Sequence, residues 1–110
     1  MATATETGVK KNFLTGLKEA IAEEMVSNPN LICLGEDIGA LGGAFGVTDG
    51  LIALWGRERV IDMPISEAAS VGVAAGLCLN GKSVMVEKPF IDVISCGFDQ
   101  IVNMTATYHY

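Results

Sequence analysis

The first half of the chain alternates between a helical pattern and a short apolar run. From about Asn12 to Ser27 the apolar residues recur every three or four positions, and charged residues separate them. This spacing predicts an amphipathic helix that Asn12 can cap and that ends at Asn28-Pro29. The apolar stripe of this helix consists of Leu14, Leu17, Ile21 and Met25. The continuously apolar run 31–34 is then typical of a strand that is covered on both faces.

A second strand and helix follow in residues 60–81. Val60-Ile61-Asp62 predicts a short strand, and Pro64 disfavours helix at the residue before it. Ser66 stands at an N-cap position, so Glu67 is expected to be the first residue of a helix that continues to Leu79. Asn80-Gly81 is a typical helix end. The segment therefore presents one carboxyl group at a strand-to-helix turn, where open α/β sheets bind their ligands.

Two features of this helix have structural as well as functional interpretations. A glutamate in the first helical turn can simply stabilise the helix through its dipole. Gly72 and Gly76 lie four residues apart on one face. They predict the close approach of another helix or backbone, either within the chain or at a subunit interface.

The remaining segments complete an alternating order of helices and strands. The glycine-rich segment 39–46 is followed by no GK[ST] sequence, so a flexible connection is favoured over a phosphate or dinucleotide site. Thr48 is expected to cap a short helix from Asp49 to Trp55 that Gly56 ends. Residues 83–87 predict a third strand, and residues 92–108 predict a last helix. This order predicts an α/β fold, a parallel sheet with flanking helices.

Composition narrows the possible functions. With 110 residues and a net charge of −6, the chain is at most one domain and lacks the clustered basic residues of a nucleic-acid-binding surface. Residues 1–11 are interpreted as a polar, flexible tail, and no segment is apolar enough to span a membrane, which favours the cytoplasm. The cysteines form no CxxC motif and are expected to be buried thiols of a reducing compartment. Because the single histidine, His109, lies at the C-terminus, no metal site is predicted.

Several segments, taken in order and spacing, carry a more specific signal. They are EAIAEEM followed by NPN, LGEDIG, GGAFGVTDGL, RVIDMPISEA and FDQIVN. Together they resemble the beta subunits of thiamine-diphosphate-dependent 2-oxoacid dehydrogenases, which decarboxylate pyruvate, branched-chain 2-oxo acids or acetoin. The resemblance extends from about Phe13 to Tyr110. It implies that residues 12–110 are the N-terminal part of a transketolase-like pyrimidine-binding domain, about a third of such a subunit.

The resemblance also implies roles for individual residues. By position, Glu67 matches the glutamate that bonds the aminopyrimidine ring of the cofactor and acts in catalysis. Glu36 matches an acidic residue that lines the same pocket, and Ile65 matches an apolar residue that packs on the ring. Val93 stands where an aromatic residue usually contacts the ring, so this stacking surface is absent or supplied otherwise. Further departures from the family pattern are Lys88-Pro89 and Thr107.

Partners follow from the same resemblance. An alpha subunit would hold the diphosphate and magnesium, beta subunits would associate with each other in a heterotetramer, and the acyl group would pass to a lipoyl transacylase core. The substrate would be a small 2-oxo acid. Glu67, among Ile65, Val71 and alanines, is expected to be desolvated enough to share a proton with the ring. The alternatives are a truncated, non-catalytic module for subunit interaction and a nucleotide-binding domain built on residues 39–46.

Overall fold

A computed structural model describes residues 11–108 of the chain, in which helices and strands alternate. The helices are α1 (Phe13–Ser27), α2 (Leu51–Trp55) and α3 (Glu67–Leu79). The strands are β1 (Leu31–Glu36), β2 (Val60–Met63) and β3 (Ser83–Glu87). The predicted tail at 1–11 lies outside the described residues except for Lys11, and the predicted domain end at 109–110 also lies outside them.

The three strands form one parallel sheet in the order β2-β1-β3. Cys33 of the central strand is aligned with Val60 on one side and with Met85 on the other. The first four residues of β1 are all buried, as expected for a central strand covered on both faces. The predicted fold class, a parallel sheet with flanking helices, is confirmed.

Helix α1 packs on this sheet through only half of its predicted stripe. Ile21 and Met25 are buried, whereas Leu14 and Leu17 are each 40% exposed. The predicted N-cap is confirmed, since Asn12 Oδ1 accepts a hydrogen bond from the Thr15 N–H at 2.8 Å. The main core cluster joins the C-terminal half of α1 to β1, to the segment after β1, to α2 and to β2. It consists of Ile21, Met25, Leu31, Cys33, Ile38, Leu51 and Val60.

Arg59 ties the end of α1 to the start of the sheet. Its Nε donates to the Leu31 carbonyl at 3.0 Å, and its Nη2 donates to the carbonyls of Met25 at 2.8 Å and Asn28 at 2.9 Å. These carbonyls lie at a helix end and a strand start, where backbone acceptors lack partners within their own element. The planar, forked guanidinium can satisfy all three acceptors at once.

The short helix and the last helix differ from their predictions. Helix α2 begins at Leu51 with Gly50 at its N-cap, so the prediction that Thr48 caps a helix from Asp49 is wrong; Gly56 does end it. The predicted last helix is divided into a 3₁₀ segment at Ile91–Gly97, a π-helical segment at Gln100–Met104 and a 3₁₀ turn at Thr105–Thr107. Threonine hydroxyls bond carbonyls of this segment, which competes with regular helical bonding.

The glycines of α3 do not act as predicted within the chain. A side chain at Gly72 would meet only the Gln100 side chain, at 3.1 Å, and Gly76 faces open space. The close approach is made by Gly97, where an added Cβ would lie 3.0 Å from the Glu67 carbonyl oxygen. A glycine of the packing segment, and not one of α3, therefore allows the contact.

The prediction that the cysteines are buried is correct for one of three. Cys33 is fully buried in β1, whereas Cys78 and Cys96 are exposed, and none of these described cysteines forms a disulfide. Burial raises the pKa of the Cys33 thiol to about 11, although Arg59 opposes this shift. Cys78 lines an open groove between α3, β3 and the π-helical segment, and Cys96 lies in the first 3₁₀ segment.

Candidate active site

The parallel sheet brings polar residues together at the carboxyl ends of its strands. Glu36 ends β1 and is aligned with Met63 at the end of β2. On the other side Gly35 is aligned with Glu87, which ends β3 and precedes Lys88. Open α/β sheets bind their ligands at this edge, so it is the candidate site.

Glu67 reaches this edge as the first residue of α3. Pro64 ends β2, and the chain turns through Ile65 and Ser66 into the helix, as the sequence predicted. Ser66 does occupy the N-cap position, but its side chain does not cap the helix. The Ser66 hydroxyl donates instead to the Pro64 carbonyl at 3.1 Å. Glu67 is half-buried, and the tight contact of Gly97 with its carbonyl fixes the backbone there.

The apolar residues predicted around Glu67 differ in their exposure. Ile65, in the turn after Pro64, is 84% exposed, and Ala68 and Ala69 are exposed, whereas Val71 is half-buried. Desolvation of the Glu67 carboxyl group by these side chains stays a prediction. Val93 is half-buried in the 3₁₀ segment.

A chain of contacts nevertheless connects Glu67 with Glu36. The Ser70 hydroxyl donates to the Glu67 carbonyl at 2.9 Å and accepts from Lys88 Nζ at 2.5 Å. Lys88 Nζ lies 4.0 Å from Glu36 Oε1, and the two side chains are 11% and 14% exposed. Glu36 Oε1 is buried without a hydrogen-bond partner among the described residues. One sequence signal could have located this cluster, a lysine directly after an apolar strand.

Glu36 also lines a cleft at the same edge. The other residues of this cleft come from the segments after β1 and β3, and they include Asp37, Leu41, Gly43, Pro89 and Phe90. Glu67, Ile65 and Val93 do not occur among the described residues that line it. The structure thus joins Glu36 to Lys88 and Ser70, and it does not place all four predicted site residues around one cavity.

A second polar pair lies under the glycine-rich segment and was missed by sequence reasoning. An atom added at Gly43 would lie 3.0 Å from Glu87 Oε1 and 3.1 Å from the hydroxyl oxygen of Thr48. Thr48 is fully buried, and its hydroxyl and Glu87 Oε2 have no hydrogen-bond partner among the described residues. Burial raises the pKa of Glu87, and the charges of Glu36 and Asp37 raise it further.

The glycine-rich segment itself is folded by internal hydrogen bonds. The N–H groups of Gly39 and Ala40 donate to the Asp62 carboxylate at 2.6 and 3.4 Å. The Gly43 N–H donates to the Asp37 carbonyl at 2.9 Å. A phosphate-binding loop requires free N–H groups, and these three are used within the chain. The segment is therefore a connection held by hydrogen bonds to Asp37 and Asp62, and its flexibility stays a prediction.

Residues 11–108 contain no group of three histidine, cysteine or acidic side chains arranged to hold a metal ion. The helices of this part of the chain are also too short or too polar to cross a membrane.

Comparison with known proteins identifies the family. Residues 10–110 match the family model described as "Transketolase, pyrimidine binding domain". The chain belongs to this family. A transketolase pyrimidine-binding domain is consistent with the parallel sheet and its flanking helices, and with the position of the candidate site at the carboxyl edge.

Relatives of this pyrimidine-binding domain occur in several 2-oxoacid dehydrogenases. The chain is 42% identical over 94 residues to the pyruvate dehydrogenase E1 component subunit beta of Leifsonia xyli, covering 86% of the chain and 28% of that subunit. It is 40% identical to the beta subunit of acetoin:2,6-dichlorophenolindophenol oxidoreductase of Cupriavidus necator, covering 92% of the chain and 32% of that subunit. A mitochondrial 2-oxoisovalerate dehydrogenase subunit beta 2 of Arabidopsis thaliana is 36% identical over 96% of the chain. The chain thus spans about a third or less of the length of these curated relatives.

Proposed function

We propose that the chain supplies the aminopyrimidine-binding part of a thiamine diphosphate site in a 2-oxoacid dehydrogenase of the E1 beta type. The observation that carries this proposal is the turn from β2 into α3, which sets Glu67 at the carboxyl edge of the sheet. The beta subunits among the relatives support the assignment, since three of them are named for pyruvate, acetoin and 2-oxoisovalerate.

The residues present fit an aminopyrimidine ring at two points. Glu36 Oε1 is a buried acceptor without a donor, which an amino group on the ring would satisfy. Glu67, at the start of α3, offers a second carboxyl group that is only partly exposed to water. Ile65 and Val93 would supply apolar contacts to the ring faces, and the exposed Ile65 has the free surface to do so.

Glu67 would act by sharing a proton with a ring nitrogen. When bound, thiamine diphosphate supplies the carbanion chemistry that releases carbon dioxide from 2-oxo acids. The carboxyl group of Glu67 would hold the proton at the ring nitrogen, which favours the ring tautomer that can act as a base. The tight packing of Gly97 against the Glu67 backbone would keep the carboxyl group oriented.

A partner subunit would complete the site. Following the resemblance to E1 beta subunits, we assign magnesium and the diphosphate to an alpha-type subunit. Acyl transfer to a lipoyl transacylase core and association between beta subunits belong to the same proposal. The cytoplasmic location predicted from the sequence also stays a prediction, since one of the relatives is named as mitochondrial.

A second candidate function, a non-catalytic module for subunit interaction, is favoured by one observation. An open apolar groove lies between α3, β3 and the π-helical segment. Its lining includes Val71, Ala74, Ala75, Leu79, Val84 and Ile101. Exposed apolar surface of this kind is typical of a protein–protein contact. Both functions need partners, so they are distinguished by turnover and not by association.

The test of the catalytic proposal is the Glu67→Gln variant in a complex reconstituted with an alpha subunit. Glutamine keeps the shape and a hydrogen bond but cannot exchange the proton, so we expect decarboxylation to fall by at least ~100-fold. Glu36→Gln is compared as a second site variant. The matched control is Glu58→Gln, because Glu58 is exposed and precedes β2, at the opposite end of that strand from the turn. Near-normal turnover of Glu67→Gln would remove this residue from the mechanism.

Thermal unfolding separates catalysis from helix stabilisation. If Glu67 only stabilised the α3 dipole, its replacement would lower the thermal midpoint and leave turnover per folded complex unchanged. We expect the opposite: a large loss of turnover and a small change in the midpoint. The isolated chain is expected to show no turnover and only weak binding of thiamine diphosphate with magnesium, because the diphosphate site would lie on the partner.

A further inference from the structure

Lys88 is a buried cation placed between the two carboxyl residues of the proposed site. Its side chain is 11% exposed, and Nζ donates to the Ser70 hydroxyl at 2.5 Å. Ser70 is 1% exposed, and its hydroxyl donates a hydrogen bond to the Glu67 carbonyl. Lys88 therefore connects the end of β3 to the first turn of α3.

The charge of Lys88 requires compensation, because a buried ammonium group without a partner is strongly unfavourable. Among the described residues, Glu36 is the acidic side chain within ion-pair distance, with 4.0 Å between Nζ and Oε1. This separation is too long for a hydrogen bond. The carboxylate is thus held by charge while Oε1 keeps its capacity to accept a hydrogen bond from another donor.

We propose that Lys88 is a positioning residue that holds Glu36 as an anionic hydrogen-bond acceptor toward the ring of the ligand. This inference rests on the proposed function of the site. A carboxylate accepts hydrogen bonds and cannot donate them. The pair therefore selects a ring that carries an amino group at this point over a ring that carries an oxygen. Lys88 would act through Glu36 and Ser70, without touching the reacting atoms.

The pairing is tested first on the protein without ligand, by a double-mutant cycle of Lys88→Met and Glu36→Gln. Methionine keeps most of the apolar stem and removes the charge. We expect Lys88→Met alone to shift the unfolding equilibrium about tenfold toward the unfolded state, because Glu36 is left buried and unpaired. In the Glu36→Gln background the same change should leave the unfolding equilibrium nearly unshifted, a difference of about tenfold between the two backgrounds. If Lys88→Met alone does not fold, recovery of folding in the double variant supports the pairing.

Two comparisons test whether the charge of Lys88, at this position, is responsible for the loss. Lys88→Arg restores the charge and should recover most of the stability lost in Lys88→Met. Lys82→Met is the matched control, since Lys82 is exposed and follows Gly81 outside the site. Additive effects of Lys88→Met and Glu36→Gln, or equal effects at positions 88 and 82, would overturn the proposal.

Ring selectivity is tested with two probes in the complex with an alpha subunit. They are thiamine diphosphate and oxythiamine diphosphate, which carries a ring oxygen in place of the amino group. We expect the affinity ratio between them to fall about tenfold in Lys88→Met and to recover in Lys88→Arg. An unchanged ratio in Lys88→Met would refute the positioning role. If the unaltered protein binds neither probe, the proposed function fails, whereas the double-mutant cycle still decides whether Lys88 holds Glu36.

Discussion

Replacement of Arg59 by methionine should remove a large part of the stability of the chain. The substitution deletes three hydrogen bonds from a charged donor, to the carbonyls of Met25, Asn28 and Leu31. Each such bond contributes roughly 1.5–3 kcal/mol. The three do not add fully, because one nitrogen serves two acceptors and the side chain is half-buried. We therefore expect a loss of about 2–4 kcal/mol in the free energy of unfolding.

Denaturant and thermal unfolding followed by circular dichroism measure this loss. For a chain of this length about 1 kcal/mol corresponds to roughly 4 °C, so the thermal midpoint should fall by about 8–16 °C. Arg57→Met is the matched control, because Arg57 is exposed and lies two residues away. Arg59→Lys should lose most of the same stability, since an ammonium group cannot reach three acceptors in the fork geometry. If Arg59→Met stayed within about 0.5 kcal/mol of the control, the argument from these hydrogen bonds would be refuted.

Three further outcomes follow from the buried groups. A thiol reagent at pH 8 should rapidly label the two exposed cysteines of the native protein. Because Cys33 is buried and its pKa is raised to about 11, it should react only after denaturation. Mass spectrometry showing three equally fast labels would contradict this. The pKa of Glu87 is higher in the folded protein than in the unfolded chain, so the folded state binds this proton more tightly. The free energy of unfolding should therefore decrease as the pH rises above the ordinary glutamate range. Glu87→Gln should reduce this decrease in unfolding curves measured between pH 4 and 8. Gly35→Ala should cost about 1–3 kcal/mol, because the added Cβ would lie 2.8 Å from the Glu87 carbonyl oxygen, whereas Gly16→Ala, with open space around it, should be neutral or stabilising in the same unfolding assay.

The sequence predicted the sheet well because its signals were local. The continuous apolar run at 31–34 is explained by coverage of both faces of the central strand, and Pro64 marks the end of β2 in the sequence as in the structure. The resemblance located Glu67 and Glu36, and both lie at the carboxyl edge. Their roles in binding and catalysis stay predictions.

The errors arose where tertiary contacts decide. Burial of a cysteine depends on what packs against it, and Cys78 lines the open groove beside α3 and β3, so its apolar neighbours in sequence did not lead to burial. The glycine pair of α3 was the predicted contact, yet Gly97 is the residue that lets its segment reach the Glu67 carbonyl. The link between Lys88 and Ser70 joins positions 18 residues apart, and no helical or strand period connects them.

The strand order has a consequence for how the chain is made. The central strand is synthesised before both of its neighbours, and roughly 50 further residues are added between Cys33 and its partner Met85. At a translation rate of about 5–20 residues per second, this delay lasts on the order of 3–10 s. Throughout that time the nascent chain exposes four consecutive apolar residues, Leu31 to Leu34, which carry no charge and favour extended structure. The most buried strand of the finished domain is therefore left without one of its partner strands for several seconds on the ribosome, and a chaperone that binds short apolar stretches would find a binding segment here.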